Sequence, residues 1–203
     1  MQKIIFDIGA HEGQDSILLA QESPNTIVYA FEPVPTLAKN IKNKTAELPN
    51  YNLIEKAVSD FTGTTTFNIM NDGTGGQSSL LKFTKKVDIV WPSGVLKFTD
   101  EIPVEVIRLD NFIKENKITK IDYLHIDAQG SDLSVLKGLG DCITIVESGV
   151  VEASNPDREY YEGQNNTEQT IQYLKDRGFE ITQVIPNDDS GNEVNIYFTN
   201  ILK

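Results

Sequence analysis

Four carboxylates in this 203-residue chain stand where apolar runs give out: Asp7, Glu32, Asp127 and Glu152. Asp7 leads into Ile8-Gly9-Ala10-His11-Glu12-Gly13, a turn in which Gly9 and Gly13 let the backbone fold tightly and approach a ligand with no Cβ in the way. The spacing differs from the Gly-x-Gly-x-x-Gly that seats a pyrophosphate at a helix N-terminus. Asp7 would also put negative charge where that pyrophosphate lies, so a cationic ligand suits the turn better. Glu32 can accept hydrogen bonds from both hydroxyls of a ribose and would repel a 2′-phosphate. A third apolar run ends in Ala57-Val58-Ser59-Asp60, where Asp60 either accepts from an adenine amino group or forms a simple turn before Gly63. A ligand with a ribose, a positive centre and an amino-acid end but no phosphate meets these demands. S-adenosylmethionine is such a ligand, with S-adenosylhomocysteine as its product.

These residues need strands to carry them. Lys3 to Ile8, Thr26 to Phe31 and Leu53 to Val58 read as buried strands, separated by helices over Gln14 to Gln21 and Thr36 to Lys44, the latter opened by Pro35. Strand and helix in alternation imply parallel strands joined by right-handed crossovers. Thr64 to Met70 alternates like an extra strand, Asn71 to Ser79 is a polar loop, and Leu80 to Glu101 has little periodicity. Regular pattern returns with a strand over Val104 to Leu109, a helix over Asn111 to Asn116 capped by Asp110, a strand over Ile121 to Ile126, a helix over Leu133 to Leu139 and a strand over Ile143 to Val151. A helix over Thr167 to Arg177 stops at Gly178, and Phe179 to Ile185 with Val194 to Thr199 makes an antiparallel hairpin. The expectation is one doubly wound α/β domain spanning 1–203, with seven strands in the order 3-2-1-4-5-7-6 and the last antiparallel.

Composition narrows the partners. The formal charge is −12, and the 18 Lys and Arg residues are scattered rather than gathered into the basic stripe that a phosphate backbone requires. A direct nucleic-acid substrate is not expected. Cys142 stands alone, so neither an intrachain disulfide nor a cysteine metal cluster can form. The first apolar strand begins too near Met1 to leave room for a signal peptide, and no apolar run approaches the ~20 residues of a membrane helix. A soluble cytoplasmic protein without a membrane partner is expected.

Several stretches, in this order, resemble the FkbM-type methyltransferases: Asp7 to Gly13, Phe31-Glu32-Pro33-Val34-Pro35, Arg108-Leu109-Asp110-Asn111-Phe112-Ile113, Ile126-Asp127-Ala128-Gln129-Gly130, and Val135-Leu136-Lys137-Gly138. The resemblance runs over nearly the whole chain. It implies a class I methyltransferase (Rossmann-like) fold with S-adenosylmethionine as methyl donor and, usually, a hydroxyl acceptor. On the family pattern Asp7, Gly9 and Gly13 surround the methionyl part, Glu32 holds the ribose and Asp127 closes the site. Ala10, His11, Ser16, Pro33, Ala57, Ser59, Asp60, Ser79 and Gln129 complete the expected cofactor contacts. Three positions depart from the pattern. His11 stands where Asn is common, His125 where Lys is common, and Asp132 replaces the usual Glu.

For an alcohol acceptor a base must take the hydroxyl proton, which accelerates transfer by about 10²–10⁴-fold. Asp127 and Glu152 are the candidates, with Asp132 and His11 behind them; Asp127 could instead bind cofactor, and Glu152 could cap the next loop. His125 reads as a core histidine and His11 as a turn residue. No metal is expected, although Asp127, Asp132 and Glu152 could gather round Mg²⁺. Phe83, Trp91 and Phe98 could form either a lid or satellite core, and the Tyr160–Tyr161 loop should overhang the carboxyl edge of the sheet. The acceptor is expected between the 73–79 loop, the Trp91 region and that tyrosine loop, as a sugar, a glycan or another small hydroxylated metabolite. The competing readings are an NAD- or nucleotide-binding oxidoreductase and a non-catalytic cofactor-binding module. The oligomeric state is not readable.

Overall fold

A computed structural model describes residues 2–70, 76–85, 87, 96–187 and 191–202. Apolar runs of the expected kind build β1 (Lys3–Ile8), β2 (Thr26–Phe31) and β3 (Tyr51–Ile54), with α1 (Gln14–Glu22) and α2 (Pro35–Thr45) between them. After them come β4 (Ala57–Val58), β5 (Gly63–Met70), β6 (Phe98–Ile107), α3 (Leu109–Glu115), β7 (Tyr123–Ile126), α4 (Asp132–Gly138) and β8 (Ser148–Ser154). The chain closes with α5 (Thr167–Lys175), β9 (Phe179–Pro186) and β10 (Glu193–Asn200).

The main sheet has seven strands in the order β3-β2-β1-β7-β8-β10-β9, which is the expected 3-2-1-4-5-7-6. The pairs β3–β2, β2–β1, β1–β7 and β7–β8 are parallel, and β10 runs antiparallel to both its neighbours. The strand order reverses between β1 and β7, so a ligand crevice opens at their carboxyl ends. Alternation along each strand decides which face is filled. Phe6, Ile8, Leu124, Ile126, Val151, Ile196 and Phe198 share one face and pack into a core with Leu109, Leu136 and Leu174 of α3, α4 and α5. Each such side chain contributes about 1.5–3 kcal/mol on leaving water. On the opposite face α1 and α2 cover β2 and β3 through Ile17, Ala20, Val28, Ala30 and Ile41.

The elements depart from the expected boundaries in four places. The third strand ends at Ile54, because the Lys56 N–H turns back onto the Ile54 carbonyl (2.9 Å) at the charged pair Glu55-Lys56. Ala57–Val58 then joins a second, three-stranded sheet in the order β4-β6-β5. That sheet takes in residues from Phe98 on, whose alternation is obscured by exposed charges at Asp100 and Glu101. Residues 140–145 form a 3₁₀ helix before β8, with Ile143 buried in the core. Asp110 lies in the first turn of α3 rather than capping it. Its carboxylate is gripped by Arg108 Nε and Nη2 at 3.0 and 2.9 Å, while Arg108 occupies the cap position. Among the described residues no helix is long and apolar enough to cross a membrane.

Candidate functional site

The turn after β1 is bound into the crevice from three sides. The Gly9 and Ala10 N–H groups both donate to the Phe31 carbonyl at 3.0 Å. Gly9 has φ +80, and a Cβ there would lie 1.8 Å from the Asp127 carbonyl oxygen, so only glycine lets β1 lean on the end of β7. His11 adopts φ 53 and donates its N–H to Glu32 Oε2 at 2.8 Å. The Val34 N–H donates to Glu32 Oε1, also at 2.8 Å. Glu32 is thus a clasp between two strand-end turns, and each carboxylate oxygen keeps a further lone pair for a ligand. Burial pushes its carboxyl up to about 7; the two N–H donors oppose this, and the charge of Asp7 adds to it.

Two clefts meet here. The first is walled by Phe31, Val34, Leu37, Val58 and Phe67, with Glu32, Pro33, Ala57 and Ser78 on its rim. The second runs along the opposite side of β1, past Asp7, Ala10, Glu12, Gly13, Asp15 and Ser16 to Tyr123, His125, Val150 and Tyr197. Gly9, His11 and Asp127 line both, which places them at the junction. Ser16 also bonds inward, to the Gly13 carbonyl and to the Tyr51 hydroxyl at 3.0 Å.

A network of polar groups stands behind the junction. Gln129, at φ 47, donates from Nε2 to Asp127 Oδ1 (2.6 Å) and to Glu152 Oε2 (3.2 Å). Its Oε1 accepts from the Tyr161 hydroxyl at 2.8 Å, and its backbone carbonyl accepts from Ser79 Oγ at 2.6 Å. Gly130 packs under the Tyr161 ring, where a Cβ would come within 2.6 Å of Cδ2. Asp132 grips the same turn, accepting from the Ala128 and Gly130 N–H groups at 2.6 and 3.0 Å. Burial and the charge of Asp127 push the Asp132 carboxyl up to about 7, against those N–H donors. Glu152 is 3% exposed and lines neither cleft. Burial, then the charges of Asp127, Glu193 and Asp132, raise its carboxyl well above the ordinary range. Burial thus opposes its ionisation.

Several expected positions fall elsewhere. Ser59 and Asp60 line neither cleft, because the break after Ile54 carries them into the second sheet. There the Asp60 carbonyl accepts from Arg108 Nη1 at 2.7 Å. Ser79 is fully buried on Gln129, and it is Ser78 that faces the first cleft. His125 is not in the core. Its alternation with Leu124 and Ile126 turns it to the other face, where its side chain is 41% exposed and Nδ1 meets Asp7 Oδ1 at 2.8 Å. Tyr160 and Tyr161 are buried rather than overhanging the edge, and Phe83 stacks between Tyr161 and Phe98 as satellite core. Positions 73–75 and Trp91, named for the acceptor, lie outside the described residues. The wall residues Val34, Leu37 and Phe67 escaped sequence reasoning; the alternation of Phe67 with Ile69 was the available signal. Among the described residues no three of His, Cys, Asp and Glu are grouped to hold a metal.

The methyltransferase FkbM domain family matches residues 7–181. The chain belongs to the FkbM methyltransferase family. It is 27% identical over 195 residues to the 2-O-methyltransferase NoeI of Sinorhizobium fredii, covering 93% of this chain and 77% of that protein. It is 28% identical over 156 residues to the 31-O-demethyl-FK506 methyltransferase FkbM of Streptomyces tacrolimicus, covering 68% of this chain and 60% of that one. Among solved structures, Aeropyrum pernix fibrillarin with bound S-adenosyl-L-methionine superposes with a TM-score of 0.57 at 12% identity. That match takes in 98% of this chain and 66% of the fibrillarin chain, and it speaks to the fold alone. This FkbM-family protein is an S-adenosylmethionine-dependent methyltransferase on a class I fold, which sets aside the nucleotide-dependent oxidoreductase. The residues fit that donor. Glu32 keeps lone pairs for ribose hydroxyls beside an apolar slot, and the junction at Gly9 admits close approach of a ligand to the backbone.

Proposed function

We propose that this methyltransferase methylates a hydroxyl group of a small neutral acceptor, a sugar, glycan or other hydroxylated metabolite, with Asp127 as the base. The observation that carries this reading is the junction itself: Asp127 lines both clefts, and Glu152 is buried behind it, joined to it through the Gln129 amide. S-adenosylmethionine supplies an electrophilic methyl group on a sulfonium. Glu32 and the apolar slot hold the nucleoside half, and the Gly9–Gly13 turn carries the rest across the junction. Asp127 would accept the proton of an incoming hydroxyl whose oxygen takes the methyl group, and the bound donor would leave as the neutral thioether S-adenosylhomocysteine. Such alignment is worth roughly 7–11 kcal/mol. Gln129, oriented by Tyr161, keeps the Asp127 carboxylate in place through its amide.

Substrate class follows from charge. The chain's formal net charge is −12, and its 18 Lys and Arg residues are scattered along the sequence rather than clustered. A polyanion would be repelled, so a neutral acceptor fits and nucleic acid does not. The relatives whose printed names specify oxygen methylation support the same reading. The lone thiol of Cys142 suits a reducing cytoplasmic compartment. The test is transfer of labelled methyl from donor into a panel of hydroxylated glycans and metabolites. Asp127→Asn should lower turnover by about 10²–10⁴-fold while S-adenosylhomocysteine affinity stays within a few-fold. Turnover at the unmutated rate removes Asp127 as base, and transfer only to nitrogen or carbon acceptors removes the hydroxyl.

A further inference from the structure

The donor's amino-acid end poses a charge problem that the second cleft must answer. That end carries an ammonium and a carboxylate, next to the sulfonium. The acidic wall of Asp7, Glu12, Asp15 and Asp127 suits the two positive groups and opposes the carboxylate. Among the described lining residues only His11 and His125 can carry positive charge. His11 lines both clefts and so stands at the junction, whereas His125 lines only the second, where the amino-acid end runs. The His125 ring is fixed by Asp7 through Nδ1 at 2.8 Å, which leaves Nε2 as its remaining donor. Its surroundings are Asp7 on β1, Asp15 on α1, Asp127 at the end of its own strand, and Val150 and Tyr197 on β8 and β10.

We propose that the His125 imidazolium, held by Asp7, receives the carboxylate of the donor's amino-acid end, so that protonation of this ring controls donor and product affinity. Geometry puts the ring on the cleft wall with Nδ1 held by Asp7, and the electrostatics of the pair favour its charged form. Burial lowers the imidazole from its ordinary 6.5, but the hydrogen bond to Asp7 and the charges of Asp7, Asp127 and Asp15 outweigh this and leave it raised. A carboxylate bound at Nε2 makes a charge-assisted hydrogen bond to a donor that is already oriented. A lysine at this place would carry fixed charge, whereas histidine makes affinity respond to pH near neutrality.

The proposal rests on S-adenosylmethionine as donor and is tested by calorimetry with two ligands. S-adenosylhomocysteine has the amino-acid end, and 5′-methylthioadenosine lacks it. The ratio of their affinities cancels everything owed to the nucleoside, including the titration of Glu32. Between about pH 6 and pH 8.5 this ratio should fall by about tenfold or more in the unmodified protein. His125→Asn should lower the ratio by about tenfold at the acid end and make it flat with pH, and His125→Lys should restore it and keep it flat. Proton NMR of the His125 ring gives a variant-free check: S-adenosylhomocysteine should raise its titration midpoint and 5′-methylthioadenosine should leave it unchanged. A ratio constant with pH in the unmodified protein, or an unmodified ratio in His125→Asn, overturns the proposal. Failure of both ligands to bind at any pH overturns it too, and takes the donor assignment with it.

Discussion

The two halves of the donor crevice are built on opposite principles. The first cleft is lined mainly by apolar side chains, with the clasped Glu32, Asp127 and Lys56 among them. The second is an open trough along a sheet face, lined by carboxylates, tyrosines and a half-exposed histidine. On the proposed reading the first half takes the nucleoside and the second takes the charged amino-acid end. A substitution in the first should therefore affect every adenosine ligand alike, and one in the second only those with an amino-acid end.

The largest effect that sharpens this contrast belongs to Glu32. Glu32→Gln removes the negative charge and sets an amide N–H₂ against a backbone donor, so S-adenosylhomocysteine and 5′-methylthioadenosine should both bind about 10–100-fold more weakly by calorimetry. Loss confined to S-adenosylhomocysteine would collapse the distinction between the halves.

A second prediction concerns stability without ligand. Glu32 has an ordinary value of 4.5 and a folded value of about 7, and Asp132 goes from 3.8 to about 7. In both the folded state holds its proton more tightly than the unfolded chain does. Their stabilisation is complete below the ordinary values and is lost as pH rises through about 7. For Glu32 the difference is on the order of 3 kcal/mol. The melting temperature of the ligand-free protein should accordingly fall between about pH 5 and pH 8, and Glu32→Gln should flatten part of that slope. A melting temperature that rises over this window removes the buried neutral carboxyls from the account.

The smallest effect is expected at Asp60. Asp60→Asn should change S-adenosylhomocysteine affinity less than about twofold, since its side chain lies outside both clefts. A tenfold loss would extend the nucleoside half beyond the walls described.

Much of this arrangement was legible before any coordinates, and the reasons for the rest are physical. Asp7, Glu32, Asp127 and Glu152 could be found because strands of a parallel sheet end together, so carboxylates at their ends converge. The seven-strand order followed from alternation and the terminal hairpin. Ser59 and Asp60 were misplaced because an apolar run records burial and not which sheet a strand joins. His125 was misread for a related reason. Period-two alternation shows that Leu124 and Ile126 share a face, but which face the helices cover depends on the crossovers. The union of Tyr161 with Gln129 links positions far apart in the chain and leaves no local signal.

The contact of Gly9 with the Asp127 carbonyl has a consequence for how such a protein diversifies. It works as a fixed spacer: the turn after β1 and the end of β7, which carries the proposed base, touch through bare backbone, with no side chain whose length could drift. The register of Ile8 against Ile126 holds that spacing from below. The reacting centre is thus set by main-chain geometry that is indifferent to the acceptor. Loops beyond the sheet edge could then be exchanged for others that seat a different acceptor, without retuning the backbone contact beneath them.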